Sequence, residues 1–316
     1  MKKRTIITLA VGSQYFSRMA LALMYSCRRF AGNKLDYIIF SDQEYLPYYQ
    51  IPSWLQIRRV SIDDFNNEDL TQVKSRGWYL KSQLMMEPML CDRTVLFLDA
   101  DSWVFADQFD KIFDLIEKES VVIYGDYLRE DVTWGEINFP QVAEKAGIKV
   151  KNMWLNGGVF GRASDPIGHS FARLYKELME EYPFRPYIES NFWKAADEPY
   201  LATAYQLAHL ENHLPAPEKI KSFSSDIYMT TYLATITDTH TDRPRVTTTY
   251  LDLHSHNPAI IHFLGGMRIP YYRKLVNGTA RMTTIGKLLQ PVFAMKFLLG
   301  RVKTFICRTL KISNLT

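Results

Sequence analysis

The stretch Val95-Leu96-Phe97-Leu98-Asp99-Ala100-Asp101 decides how this chain is read. Four apolar residues in a row read as a strand buried on both faces. The run stops at two carboxylates one residue apart, and alternation along an extended chain predicts both on the same side. Like charges that close repel each other, and a cation between them relieves the repulsion. Carboxylate oxygens are hard ligands suited to Mn²⁺ or Mg²⁺. In open α/β sheets, ligands bind beyond the carboxyl ends of the strands. The stretch therefore implies a divalent cation, and with it a diphosphate, at the tip of a central strand.

The flanking sequence alternates strand and helix patterns. Thr5 to Val11 reads as a first strand rather than a secretory signal, because the apolar run is short and Ser13-Gln14-Tyr15 follows at once. Gln14 to Phe30 reads as a helix, with Phe16, Ala20, Leu23, Met24 and Cys27 at helical spacing. Asp36 to Phe40, Ile57 to Val60, Val121 to Tyr124 and Ala259 to Phe263 read as further strands. Gly77 to Leu90, Gln108 to Glu119, Pro166 to Tyr182 and Glu198 to His209 read as helices. Alternation of this kind predicts an α/β layered fold with a mostly parallel central sheet. The polar, irregular segment from Asp126 to Lys151 is expected to form a loop over a site.

Composition narrows the class. With 316 residues, 47% of them hydrophobic, the chain can build a substantial core. The three cysteines are scattered and form no CxxC pair, which suits a reducing, cytoplasmic compartment. No stretch approaches the ~18 apolar residues of a membrane span. The net charge of +4 hides an asymmetry. No Asp or Glu follows Asp252, and every charged residue from Tyr271 onward is Lys or Arg, so a mildly acidic body carries a basic tail. Residues 1–270 are expected to be the main domain and residues 271–316 a basic extension. From Thr284 to Lys311, apolar residues recur at helical period, with Pro291 expected in the first turn. Such an extension suits the anionic inner face of a membrane, or docking on the body. Nothing in it resembles a nucleic-acid reading motif.

Four further groups carry chemistry. Met153 to Gly161 reads as a strand broken by glycines, and Asn156-Gly157-Gly158 puts an amide beside bare backbone, where a ligand can approach closely. Ile260-Ile261-His262-Phe263-Leu264-Gly265-Gly266-Met267-Arg268 closes a strand with a His, then two glycines and a cation. That set offers a metal ligand, amides and a charge for phosphate. Asp197-Glu198 opens a helix, where acids also serve simply as caps. Arg76 and Lys81 precede the carboxylate strand.

With these motifs in order, the chain resembles the GT-A glycosyltransferases of the glycogenin and bacterial lipopolysaccharide galactosyl/glucosyltransferase type. Phe97-Leu98-Asp99-Ala100-Asp101 is similar to the family's metal-binding DxD, and Leu155-Asn156-Gly157-Gly158-Val159-Phe160 to its Asn-x-Gly-Val-Phe strand. The resemblance implies a Rossmann-like fold that binds a nucleotide sugar. It implies Asp99, Asp101 and His262 as ligands of Mn²⁺ or Mg²⁺. Leu9, Ala10, Val11 and Tyr15 fall where the family holds the nucleobase and ribose. Arg76, Lys81, Ala100, Asn156, Gly157, Gly158, Gly265 and Arg268 complete the donor site, and Asp197 with Glu198 stands where the family usually has Asp-Gln, facing the transferred sugar. Arg268 replaces the family's lysine, and Glu198 its glutamine.

The implied activity is metal-dependent transfer of a sugar from a UDP-linked donor to an acceptor hydroxyl, with retention, on a glycan, glycolipid or protein. Two other classes compete with it. A non-catalytic glycan or nucleotide-sugar binder would keep the site and lack turnover. A DxD phosphatase of the haloacid-dehalogenase type expects Thr or Val where Trp103 stands and places its pair on an early strand.

Overall fold

The computed structural model describes residues 3–60, 73–127, 151, 153–181, 197–215, 217–231, 234–238, 245–248, 255–292 and 295. Twelve strands are found among them: β1 (Lys3–Ala10), β2 (Asp36–Ser41), β3 (Leu55–Arg59), β4 (Arg93–Leu98), β5 (Ser102–Val104), β6 (Val121–Tyr127), β7 (Met153–Arg162), β8 (Tyr228–Thr230), β9 (Ala234–Asp238), β10 (Arg245–Thr248), β11 (Ser255–His256) and β12 (Ile260–His262). The helices that matter for the site are α1 (Gln14–Ala31), α2 (Val73–Leu84), α3 (Phe109–Glu119), α4 (Pro166–Glu181), α5 (Glu198–Glu211) and α6 (Pro270–Thr279).

The central sheet has six strands in the order β3-β2-β1-β4-β7-β6. β1 runs parallel to both neighbours, with Ile7 opposite Ile38 on β2 and Phe97 on β4. From Val95 to Leu98, β4 is apolar on both faces because helices cover both. Leu96 and Leu98 join the core under α1 and α3. Val95 and Phe97 join the core under α2, α4 and α5. The two-residue repeat of an extended chain makes that division. The mostly parallel sheet is as expected, with one reversal. β7 pairs antiparallel with both β4 and β6, so it is the reversed strand at the centre of that half.

Two of the sheet's consequences differ from the sequence reading. β4 ends at Leu98, and Asp99 and Asp101 occupy a turn in which the Ser102 N–H donates to the Asp99 carbonyl at 2.9 Å. The turn, not the alternation of a strand, brings the carboxylates to one site. A small sheet of order β5-β12-β8 was not anticipated. It places His262 directly opposite Ser102, the residue after Asp101.

Other elements differ in detail. Phe16 is 44% exposed; the buried face of α1 runs instead through Met19, Ala20, Leu23, Met24 and Cys27. Ser13 caps α1, its Oγ accepting from the Tyr15 N–H. The helix expected from Gly77 to Leu90 stops at Leu84, and a separate turn follows over Pro88–Leu90, because a proline disfavours helical backbone in the residue before it. Residues 128–150 of the expected loop lie outside the described residues. In the basic extension, α6 packs on α1 and buries Tyr272 and Val276 completely. A last helix begins at residue 284, so Pro291 falls beyond its first turn rather than in it.

Candidate active site

The turn after β4 is held from two sides. The Asp99 N–H donates to the Gly158 carbonyl on β7 at 2.9 Å, and the Phe263 N–H donates to the Asp101 carbonyl at 2.8 Å. These backbone bonds converge the side chains. His262 Nε2 lies 3.0 Å from Asp101 Oδ1 and 3.8 Å from Asp99 Oδ2. Ligand atoms of all three residues fall within 4.8 Å of one another.

The donor set fits a divalent cation. Two carboxylates and an imidazole suit Mn²⁺ well. Octahedral bonds of about 2.1 Å put neighbouring ligand atoms about 3.0 Å apart, which matches the His262–Asp101 spacing. The carboxylates are partly exposed while His262 is buried, so the open side faces solvent. Burial opposes a charged His262, but Asp101 and Asp99 outweigh it and raise the imidazole above its ordinary value. Burial likewise raises Asp99 although Lys81 and His262 pull it down. A cation would relieve both conflicts.

Lys81 joins this cluster to a second one. It projects from α2 with only 6% of its surface exposed. Its Nζ lies 3.0 Å from Asp99 Oδ1 and 3.2 Å from Asp197 Oδ2, and it donates to the Gly157 carbonyl at 3.3 Å. Burial disfavours the ammonium, yet Asp197 and Asp99 more than compensate and hold it firmly charged. Asp197, at the start of α5, is 2% exposed and also accepts from the Tyr175 hydroxyl at 3.1 Å. Glu198 follows it, and its Oε1 accepts from the Gly157 N–H at 3.3 Å. Burial and the Asp197 charge push the Glu198 carboxyl up to about 7.

The glycines are required by crowding. A Cβ on Gly157 would stand 2.8 Å from Asp197 Oδ1. One on Gly158 would overlap the His262 ring, 2.6 Å from Cε1, and lie 2.8 Å from Asn156 Oδ1. Gly266, at φ +51°, leaves room for Met19 and for the Asp101 Cβ.

The sequence-expected residues thus divide. Lys81, Asp99, Asp101, Asn156, Gly157, Gly158, Asp197, Glu198 and His262 are brought into one contact network. Ala100 is buried, its carbonyl accepting from the Tyr272 hydroxyl. Leu9 and Ala10 end β1, beside β4, with Val11 just beyond; Tyr15 lies in the first turn of α1. Gly265, at φ +95°, opens the short helical turn that carries Arg268, whose side chain is exposed. Arg76 lies on α2, and its side chain is outside the described residues. Sequence reasoning missed Tyr175 and Tyr228. Both are tyrosines in apolar surroundings, and nothing in the sequence separates them from core aromatics.

No protein-family model and no curated protein matches this chain. Solved structures do. The chain is similar to the galactosyltransferase LgtC in complex with donor and acceptor sugar analogs, with a TM-score of 0.55 and 12% identity over 90% of this chain and 99% of that one. An active-site mutant of LgtC matches with a TM-score of 0.55 and 14% identity, covering 88% and 97%. The bifunctional glycosyltransferase WbbM matches with a TM-score of 0.51 and 10% identity, over 88% of this chain and 50% of that one. This chain has the GT-A glycosyltransferase fold.

Proposed function

We propose that this chain is a metal-dependent glycosyltransferase that moves a sugar from a UDP-linked donor to an acceptor hydroxyl, with retention, in glycan or lipopolysaccharide-type biosynthesis. The observation that carries the reading is Lys81, which ties the Asp99–Asp101–His262 cluster to Asp197 through one buried ammonium. A cation site and a buried carboxylate held a few ångströms apart suit a diphosphate leaving group next to a sugar.

Asp99, Asp101 and His262 would hold Mn²⁺ or Mg²⁺, which supplies charge stabilisation for the departing diphosphate. Lys81 adds a fixed positive charge beside it, and Arg268, exposed on its turn, reaches the phosphates from outside. Leu9, Ala10, Val11 and Tyr15 receive the nucleoside, with Arg76, Ala100 and Gly265 at the donor's edges. Gly157 and Gly158 let Asp197 and His262 stand against bare backbone beside the sugar, and the Asn156 amide nitrogen hydrogen-bonds a sugar hydroxyl. Asp197 is tied by Lys81 and Tyr175, which suits a fixed negative charge facing an oxocarbenium-like sugar better than a free nucleophile. Glu198, pushed up to about 7, exchanges its proton near neutrality and can either donate to or accept from a hydroxyl of the donor or acceptor.

The test is a screen of nucleotide sugars with Mn²⁺, Mg²⁺ or chelator, read by UDP release and by product analysis with glycan, glycolipid and protein acceptors. Metal-dependent release of UDP supports the reading. Tight donor binding without release would make the chain a binding protein, and turnover of simple phosphate esters would make it a phosphatase.

A second part of the proposal concerns the basic extension, residues 271–316. Among the described residues no helix is long and apolar enough to cross a membrane. The helix that begins at residue 284 nonetheless leaves Ile285, Leu288 and Val292 exposed, with Met295 beyond them. Thr283 fastens its start to the body, its N–H and hydroxyl both donating to the Tyr48 carbonyl. Apolar residues on one helix within an all-basic segment suit peripheral attachment to an anionic membrane at its cytoplasmic face.

A further inference from the structure

We infer that Asn156 is a positioning residue for the metal site: its side-chain oxygen holds the Nδ1–H of His262, so that Nε2 is the nitrogen turned toward Asp99 and Asp101 and offered to a cation. The inference rests on the metal-dependent reading above.

The argument starts from a group whose role is fixed. A backbone N–H can only donate. The Gly158 N–H points at the side-chain amide of Asn156, 3.0 Å away, so the atom it meets is the oxygen, Oδ1, and not the NH₂. The same Oδ1 accepts from the Tyr228 hydroxyl at 2.8 Å. Burial holds that phenol well above its ordinary value, so it keeps the proton it donates. The third neighbour of Oδ1 is His262 Nδ1, at 3.1 Å. An oxygen cannot donate, so Nδ1 carries a proton. Nε2 is the nitrogen that faces both aspartates; Asp101 can hold a proton there while no cation is bound, and a cation that displaces it meets a lone pair, since Nδ1 keeps its own proton on Asn156.

The placement leaves the ring little alternative. His262 is 3% exposed, and Gly158 sits against its edge so closely that a side chain there would collide with it. Rotating the ring to exchange its nitrogens would turn a carbon toward Asn156 Oδ1. Metal-bound imidazoles generally donate their second N–H to an oxygen, which fixes tautomer and orientation and raises basicity. Here the oxygen comes from the same β7 segment that carries Gly157 and Gly158, so one residue serves two purposes. Its Oδ1 faces the metal ligand, and among the described residues its Nδ2 has no protein partner, which leaves that nitrogen for the donor sugar.

The experiment measures Mn²⁺ binding directly, by electron paramagnetic resonance of free ion, and the His262 tautomer by ¹⁵N chemical shifts in the metal-free protein at alkaline pH. Asn156→Ala is expected to weaken Mn²⁺ binding about 10–100-fold, while Asn156→Asp, which keeps the accepting oxygen, restores it. A metal-free wild type with the proton on Nδ1 supports the inference, even where Asn156→Ala does not fold. An Nδ1 without a proton, or a folded Asn156→Ala that binds Mn²⁺ within twofold of wild type, overturns it. Wild type that binds no Mn²⁺ refutes the metal-dependent function instead, and the tautomer measurement still judges Asn156.

Discussion

Lys81 Nζ stands 3.2 Å from Asp197 Oδ2, although the two residues are 116 positions apart and belong to the end of one helix and the start of another. The same ammonium reaches Asp99. A single buried cation thus compensates two carboxylates, the buried Asp197 and the partly exposed Asp99. Breaking a buried ion pair by removing one partner costs more than the pair contributes, because the other charge is left without compensation.

Lys81→Met is therefore expected to destabilise the protein by about 3–5 kcal/mol in chemical denaturation. Added Mn²⁺ should recover part of the loss, since a cation beside Asp99 replaces some of the missing charge. A variant as stable as wild type without metal would show that the pair carries little energy.

Asp101→Asn keeps the backbone contact with Phe263 and removes one ligand charge. Metal-dependent UDP release should fall by at least about 100-fold, with an unchanged circular dichroism spectrum. Full turnover in this variant would count against the metal site.

Glu198 governs a pH effect whose sign is fixed by its raised pKa. The folded value of about 7 lies above the ordinary 4.5. The group's contribution to stability is therefore complete below about pH 4.5 and is lost as pH rises through 7, where ionisation costs the folded state. Glu198→Gln cannot ionise. It should melt higher than wild type near pH 8.5, by an amount on the order of 1–3 kcal/mol, and show no such gain near pH 4.5. An equal shift at both pH values would mean that the effect is packing, not charge.

Gly158→Ala tests the crowding around the imidazole. Its Cβ would press on the His262 ring and on Asn156 Oδ1. Overpacking of this kind costs about 1–3 kcal/mol, and it should weaken Mn²⁺ binding more than it lowers the melting temperature. Normal metal affinity would mean that the ring yields freely.

Deletion of residues 284–316 should abolish binding to anionic vesicles in a sedimentation assay while leaving UDP release from a water-soluble acceptor reaction intact. Binding that survives deletion and high salt would remove the membrane proposal.

Much of this was legible before any coordinates. The Val95–Leu98 run announces a buried strand, and the glycines after Asn156 announce close approach, though it is the Asp197 and His262 side chains that come close. What escaped has physical reasons. His262 meets Asp101 across 161 positions, through a three-stranded sheet whose members are three residues long and too short to show a hydropathy period. Tyr175 lies on α4 among Phe171, Leu174 and Leu178, so its hydroxyl, the part that matters, is hidden in an apolar stripe. The reversed direction of β7 leaves no trace in the sequence, because the polar Asp126–Lys151 stretch before it carries no hydropathy pattern that tells a reversal from a crossover. The Asp99–Asp101 pair was found for a partly mistaken reason. The expected pleat is a turn, and it reaches the same side because the Ser102 N–H closes it.

The reversed β7 also sets an order on biosynthesis. β6 joins the central sheet only through β7, which also covers the outer edge of β4, with Val95 and Val121 both paired to Arg162. A growing chain that has released residues up to 127 therefore exposes two apolar strand edges with nothing between them. The central sheet cannot zip shut until residue 162 has left the ribosome, and the Asp99–Asp101–His262 cluster waits a further hundred residues for its histidine. Until residue 162 emerges, the outer edge of β4 and the edges of β6 have no partner within the sheet, which is where pairing with another chain would compete.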